Sequence, residues 1–199
     1  MGKLDVKKKL KHESLLNTAF DLFTSQGIYK TSISDIVKKA GVAKGTFYLY
    51  FTDKYDLRNK LISHKASQLF ADAHKALTEA NIDLFEDKII FMIDHIINAL
   101  NKDPALLTFI NKNLSWGVFK SALVTPGNEK DINFYQVYED LLYEAPYEFK
   151  NPEIMIFMIV ELVGSTTYSV ILESDPVDLE TMKPFLYETI RNIIKAQKL

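Results

Sequence analysis

The sequence lacks cysteine altogether among its 199 residues. This absence excludes a disulfide framework, a thiolate metal site and catalysis by a thiol. It also fits a reducing compartment, and we expect a cytoplasmic protein. Nothing in the sequence calls for a cofactor or a metal ion.

Long apolar runs are also missing. The most apolar segment, "IMIFMIVELVG" at 154–164, is far shorter than the roughly 18 residues of a membrane span and contains Glu161. The first residues, "MGKLDVKKKLKHES", are too charged for a signal peptide. We therefore expect no association with a membrane.

Catalytic signatures are absent as well. The four histidines, at positions 12, 64, 74 and 95, do not have a metal-ligand spacing such as HExxH. No GxSxG, P-loop or GxGxxG pattern occurs, and the many carboxylates have the pattern of solvated helix faces. We expect a protein that is not an enzyme.

The charge of the chain is unevenly distributed. Residues 1–65 hold 13 Lys/Arg against 6 Asp/Glu, whereas residues 66–199 hold 11 against 20. A basic end on an acidic body suggests a binding surface for a polyanion. The alternative is chance fluctuation with a solvated lysine-rich tail.

Apolar residues recur with the period of an α-helix, and glycine and proline fall at the boundaries of these patterns. The sequence therefore predicts an all-α protein of about nine helices. Their predicted ranges are 6–26, 33–40, 43–50, 53–79, 83–101, 104 to between 116 and 122, 131–144, 152–173 and 178–197. The segment 125–131 is predicted to be a loop.

The second and third helices have the layout of a helix-turn-helix. Ser32 and Asp35 have capping-box spacing, and Gly41 ends the second helix after two turns. In "GVAKGTFYLYF" (41–51), Phe47 and Phe51 share one face of the third helix and are predicted to point inward. In a helix-turn-helix the second of the two helices enters the major groove of DNA.

The opposite face of the third helix is small and mostly uncharged, which suits a groove. Gly45 allows close approach, although it costs roughly 1 kcal/mol of helix stability relative to alanine. Thr46 and Leu49 are candidates for base contacts, and the hydroxyls of Tyr48 and Tyr50 are candidates for phosphate contacts.

Two lysines start helices in this region, Lys44 in the third and Lys54 in the fourth. A cation is unfavourable at a helix N-terminus by about 0.3–1 kcal/mol, and a DNA phosphate would satisfy both the lysine and the free N–H groups. We expect phosphate contact, with solvation of both side chains as the alternative.

The segment "LLNTAFDLFTSQGIYKTSISDIVKKAGVAKGTFYLYFTDKYDLRNKLI" (15–62) resembles the N-terminal DNA-binding region of the TetR family of bacterial transcriptional regulators. The resemblance implies a homodimer that binds a palindromic operator through the third helix of each subunit. It also implies phosphate contacts from Thr31, Ser32 and Lys54. The lysine-rich residues before the first helix, 3–11, either add DNA contacts or are a solvated tail.

The resemblance further implies two domains, with residues 1–52 binding DNA and residues 53–199 sensing a ligand and dimerising. The segment 154–160 is apolar all round, so the eighth helix must be covered on every side. We expect it to form the dimer interface with the amphipathic ninth helix.

The effector is expected to be a small, largely apolar or aromatic molecule, because aromatic and soft side chains are plentiful after residue 66. The candidate ligand-binding residues are His95, Phe109, Trp116, Tyr138, Met158 and Glu161. For any single aromatic residue a place in the core is the alternative. Glu161 could instead pair with a cation or meet water at the dimer side.

Two functions remain open from the sequence. The first is a repressor that a small ligand releases from its operator. The second is a DNA-binding protein of the same fold without a small-molecule effector, acting in chromosome organisation or under the control of a protein. An apolar cavity without converging polar groups would favour the second function.

Overall fold

The computed structural model of the chain describes residues 3–113 and 134–199. Within these ranges it is all-α, as predicted, with nine helices. They are α1 Lys3–Gln26, α2 Ile33–Ala40, α3 Lys44–Tyr48, α4 Lys54–Glu79, α5 Phe85–Lys102, α6 Pro104–Asn113, α7 Phe134–Glu144, α8 Pro152–Glu173 and α9 Leu179–Gln197.

Helix ends agree with the sequence prediction to within three residues wherever the prediction gave a single end. The largest proportional difference is in α3, which has five residues where eight were predicted. The predicted end of the sixth helix, the predicted loop at 125–131 and the predicted start of the seventh helix at 131 lie outside the described residues.

Contacts divide the chain into two compact units, Met1–His64 and Lys65–Leu199. The boundary lies inside α4, whereas the sequence analysis placed it at residue 52. The difference arises because the first turns of α4 belong to the first unit, where Leu57, Leu61 and Ile62 are fully buried.

Local signals determine the helix ends of the first unit. Gly27, with φ of +84°, follows α1, and its N–H donates to the carbonyl of Phe23 at 3.1 Å. At the start of α2 the Ser32 hydroxyl accepts from the N–H of Asp35, and the Asp35 carboxylate accepts from the N–H of Ser32. This confirms the predicted capping box. Gly41, with φ of +68°, ends α2.

In the second unit α9 packs against α8 and α5, and α6 packs against α8 and α5. A polar network joins α5 to α9 inside this arrangement. The ammonium of Lys183 is 2.7 Å from the Asn98 carbonyl oxygen and 3.2 Å from Asp94, to which the Tyr187 hydroxyl also donates. Burial opposes ionisation of Asp94, but the bonds from Tyr187 and Lys183 hold its pKa below the usual value.

The apolar helix α8 belongs to this unit. By length and composition alone it could cross a membrane, and among the described residues it is the one helix that meets this test. The same composition occurs in core helices of soluble proteins, and Met155, Ile159 and Val170 of α8 are buried in the core of the second unit. One side of α8 is therefore part of the core of the second unit.

Candidate nucleic-acid interface and ligand cavity

The short helix α3 is held by hydrogen bonds at both ends. The N–H of Thr46 donates to the carbonyl of Ala43 at 2.8 Å, and the N–H groups of Tyr50 and Phe51 both donate to the carbonyl of Phe47 at 3.0 Å. A helix of five residues has too few internal bonds to be stable alone. Its position therefore depends on what lies behind it.

Two aromatic rings anchor α3 from behind, as predicted. Phe47 is 0% exposed and Phe51 is 1% exposed, and their ring centroids are 5.5 Å apart. The ring of His12 from α1 stacks on Phe51 at 5.3 Å. Burial, with the nearby His64 and Lys60, lowers the pKa of His12, so a neutral imidazole is favoured at this position.

The opposite face of α3 is open to solvent, also as predicted. Leu49 is 78% exposed and Tyr48 is 53% exposed. A Cβ atom added to Gly45 would meet nothing within 4 Å, so this part of the helix presents bare backbone. Thr46 is half-buried beside it. The arrangement is a low, mostly uncharged surface, which a groove of DNA accommodates.

The two tyrosines differ in their surroundings. The Tyr50 hydroxyl donates to the carbonyl of Lys8 in α1 at 3.1 Å, and its ring lies 5.3 Å from that of His12. Tyr50 therefore joins α1 to the end of α3, while Tyr48 remains directed to solvent. Because residues 3–11 are part of α1, the lysines there lie on a helix and not on an arm that precedes it.

The predicted phosphate-contacting residues also divide into two groups. Lys44 and Ser32 are exposed, and the Ser32 hydroxyl also donates to the Asp35 carboxylate at 2.6 Å. Thr31 is 1% exposed, and its hydroxyl donates to the carbonyl of Gly27 at 2.9 Å. The ammonium of Lys54 donates to the carbonyls of Ile28 and Thr31. Thr31 and Lys54 therefore have bonding partners inside the first unit, which reduces their capacity to reach a phosphate.

The N-terminus of α4 is closed as well. The carboxylate of Asp53 accepts from the N–H groups of Tyr55 and Asp56 at 2.7 and 2.8 Å. A negative cap that uses these N–H groups disfavours a phosphate at the same place. The sequence predicts a phosphate at these N–H groups beside Lys54, whereas in the structure they donate to Asp53.

Residues 15–61 match the family model described as "Bacterial regulatory proteins, tetR family". This N-terminal region is therefore similar to the corresponding region of the TetR family. The match covers α1 to the first turns of α4, which are the elements that build and support the exposed face of α3. The TetR-family resemblance drawn from the sequence is thereby confirmed.

Curated transcriptional regulators are similar to part of this chain. An uncharacterized regulator of Bacillus subtilis named YvdT is 44% identical over 68 residues, covering 32% of this chain and 35% of the relative. The fatty acid metabolism regulator protein of Bacillus subtilis is 32% identical over 72 residues, covering 36% and 37%. These matches span about a third of the length of the curated relatives.

The whole fold is similar to solved structures of the family. A transcriptional regulator FadR from Bacillus subtilis, in complex with stearoyl-CoA, superimposes with a TM-score of 0.65 over 89% of this chain and 96% of that one. The sequence identity is 18%, so this likeness concerns the fold alone.

The second unit contains a cavity of about 140 Å³. Its wall is built almost entirely from apolar side chains of α4, α5, α6, α7 and α8, including Phe70, Met92, Ile96, Ile156 and Val163. Two polar groups in the wall have backbone partners, because the Tyr138 hydroxyl donates to Pro152 and the Thr167 hydroxyl donates to Val163. Asn111 is exposed at the edge.

Of the predicted ligand-binding residues, Tyr138 lines this cavity. Phe109, His95, Met158 and Glu161 are not in its wall, and Glu161 is exposed. At 100° per residue each of these four lies about 120° or more around its helix from the side that faces the cavity. Trp116 lies outside the described residues.

The sequence analysis missed most of the cavity wall. A signal was present in α5, where residues 89, 92, 93, 96 and 100 follow the spacing of one helix face and all line the cavity. That spacing predicts an inward face, but it does not distinguish a filled core from a cavity. The predicted ligand-binding residues are mostly aromatic, whereas the wall is mostly aliphatic.

Proposed function

We propose that this chain is a transcriptional regulator that binds DNA through the exposed face of α3. The observation that carries the proposal is the contrast across this helix, with Phe47 fully buried and Leu49 78% exposed on a surface of small, uncharged groups. On a helix that enters the major groove, an exposed leucine can contact the methyl group of thymine.

Within this proposal the residues have different roles. Gly45, Thr46 and Leu49 face the base edges, while Lys44, Tyr48 and Ser32 contact phosphates on either side. Tyr50 holds α1 against α3, and it reaches phosphate only if its bond to Lys8 breaks. Because no motif of catalysis accompanies this surface, we assign the chain binding and not an enzymatic reaction.

We infer that the functional form is a homodimer through α8 and α9, working in the cytoplasm on a palindromic operator. Support comes from exposed apolar side chains on both helices: Ile154 is 50% exposed, Leu172 is 37% exposed and Phe185 is 69% exposed. A second copy that packs on these helices would remove this surface from water. Two reading helices would then address half-sites about 34–36 Å apart.

The proposed effector is an uncharged or weakly polar molecule with an apolar body. An apolar cavity of this size lacks the polar partners that hold water, and cavities of about 150 Å³ accept a benzene-sized group. A longer chain, such as the acyl group of the stearoyl-CoA bound to the Bacillus subtilis FadR, would require the cavity wall to open. Opening of the wall would couple ligand binding to a change in DNA affinity.

This coupling between ligand binding and DNA affinity would act through α4. This helix contributes Leu57 and Leu61 to the core of the first unit and Leu69 and Phe70 to the cavity wall of the second. A ligand that prefers one position of α4 shifts the population towards it, and it lowers operator affinity only by its differential affinity for the two states. Release of the operator would make the chain a repressor.

The test of this proposal is selection of bound fragments from the source genome, followed by titration with apolar ligands. We expect an enriched palindromic sequence, and weaker binding to it when naphthalene, an uncharged apolar probe, is added. Failure to enrich any sequence would contradict the DNA-binding proposal. An enriched operator whose affinity no apolar compound changes would contradict the effector proposal alone.

A second candidate is a DNA-binding protein of the same fold without a small-molecule effector. The cavity lining favours it in one respect, because the Tyr138 and Thr167 hydroxyls have backbone partners and no charged side chain faces the cavity among the described residues. A preformed cavity whose wall includes residues of α4 favours regulation by a small-molecule effector. The ligand titration above separates the two candidates.

A further inference from the structure

The turn between α1 and α2 is held by an unusual number of bonds for a surface loop. The buried hydroxyl of Thr31 donates to the carbonyl of Gly27 at 2.9 Å and accepts from the side-chain amide of Gln26 at 3.2 Å. The N–H of Thr31 donates to the carbonyl of Ile28 at 3.3 Å. These bonds hold residues 27–31 in one conformation.

Lys54 completes this arrangement from the start of α4. Its ammonium donates to the carbonyls of Ile28 and Thr31 at 2.9 and 3.1 Å, so two of its three donors bind the turn. The side chain is half-buried. An ammonium with two carbonyl partners in a partly desolvated place has little freedom to swing towards a phosphate in solution.

The turn presents two residues outward. Tyr29 is 85% exposed and Lys30 is exposed. Neither side chain forms a hydrogen bond or an ion pair with the rest of the described chain. A rigid turn that holds a cation in solvent has already lost the loop entropy that binding would otherwise cost.

We propose that Lys54 is a positioning residue for this turn. Lys30 then makes the DNA phosphate contact that the sequence suggests for Lys54. Lys30 lies two residues before Ser32, the exposed first residue of the capping box. This inference rests on the proposed DNA-binding function. It makes Lys30, in place of Lys54, the cation that neutralises a phosphate of the DNA backbone beside α2. The turn between α1 and α2 thereby becomes part of the DNA interface.

The experiment measures binding to a fluorescein-labelled duplex recovered by the genomic selection, with a random-sequence 30-base-pair duplex as a second probe. Fluorescence anisotropy is recorded from 50 to 300 mM KCl for wild type and for Lys30→Ala, Lys54→Met and the double variant. Lys44→Ala is the reference for a phosphate contact, and Lys75→Ala, an exposed lysine of the second unit, is the matched control. Circular dichroism checks that each variant is folded.

Each phosphate contact contributes about 0.9 to the slope of log K against log salt. We expect Lys30→Ala to reduce the slope by about 0.9 for each bound subunit, as Lys44→Ala does, and Lys75→Ala to leave it unchanged. Lys54→Met should weaken binding. The double variant should lose no more of the salt slope than Lys30→Ala does, because the two residues act through one contact.

Two results would overturn the inference while leaving the proposed function intact. One is a slope for Lys30→Ala equal to that of wild type. The other is additive slope losses for Lys30→Ala and Lys54→Met, which would assign an independent phosphate to Lys54. A wild-type chain that binds neither duplex would overturn the proposed function, and this inference with it.

Discussion

Truncation of Phe47 to alanine separates the anchoring role of α3 from its reading role. Phe47 is completely buried between α3 and the core of the first unit. Removing a buried phenylalanine ring costs about 3–5 kcal/mol, which combines the lost transfer free energy with the cavity that remains. The five residues of α3 have no internal stability to offset this loss, so α3 should open before the rest of the unit.

Leu49→Ala is the matched variant on the same helix. Leu49 is 78% exposed, and substitutions at exposed positions usually change stability by less than about 0.5 kcal/mol. Native-state hydrogen exchange of the Tyr50 and Phe51 amides, which donate to the carbonyl of Phe47, measures the opening of α3 directly. Phe47→Ala should accelerate exchange by two orders of magnitude or more, corresponding to about 3 kcal/mol. Equal exchange rates in the two variants would refute the anchoring argument.

Three further predictions concern stability and the cavity. His12 has a lowered pKa when folded, so the unfolded chain binds its proton more readily and stability falls as pH decreases through about 6.5. The melting temperature of His12→Phe minus that of wild type should therefore increase as the pH is lowered from 7.5 to 5.5. A difference that does not change with pH would refute this. Lys183→Met should cost about 1–3 kcal/mol in urea unfolding, because the half-buried Asn98 and Asp94 lose the bonds that the buried Lys183 donates. Glu180→Gln, at a side chain 78% exposed, should change little, and equal losses would contradict a role for burial. Gly164→Leu places a side chain in the wall of the cavity and should abolish binding of naphthalene in a fluorescence titration; unchanged binding would exclude this cavity as the site.

The helices of the chain could be predicted from local patterns because their signals are local. The capping box at Ser32 and the stop at Gly41 each involve a few neighbouring residues, and the structure confirms both. The inward face of α3 was also predictable, since Phe47 and Phe51 are four residues apart on a helix. The helical period and the capping residues are therefore sufficient to predict most of the helices.

The roles of individual polar side chains could not be predicted in the same way. The bonds of Lys54 to Ile28 and Thr31 connect residues more than 20 positions apart in sequence, and no local pattern encodes them. A lysine at a helix start resembles a phosphate contact whether its ammonium points outward or binds a distant carbonyl. The buried hydroxyl of Thr31 was missed for the same reason.

The ligand cavity depends on long-range packing even more strongly. Glu161 interrupts an apolar stretch and so suggested a buried functional carboxylate, but it lies on the exposed side of α8. Which side of the apolar segment 154–160 faces a cavity depends on the neighbouring helices α5 and α6, because this segment itself has no polar side to reveal its orientation.

The most direct test of DNA reading by α3 is a comparison of base preferences between wild type and Leu49→Ala. Both proteins are titrated against a set of duplexes that carry every single base-pair change in the selected operator. We expect the leucine variant to lose discrimination at one position of each half-site, by about 1–3 kcal/mol, and to keep it elsewhere. Identical preferences at every position, or a uniform loss across all duplexes, would contradict the assignment of the exposed face of α3 to the bases.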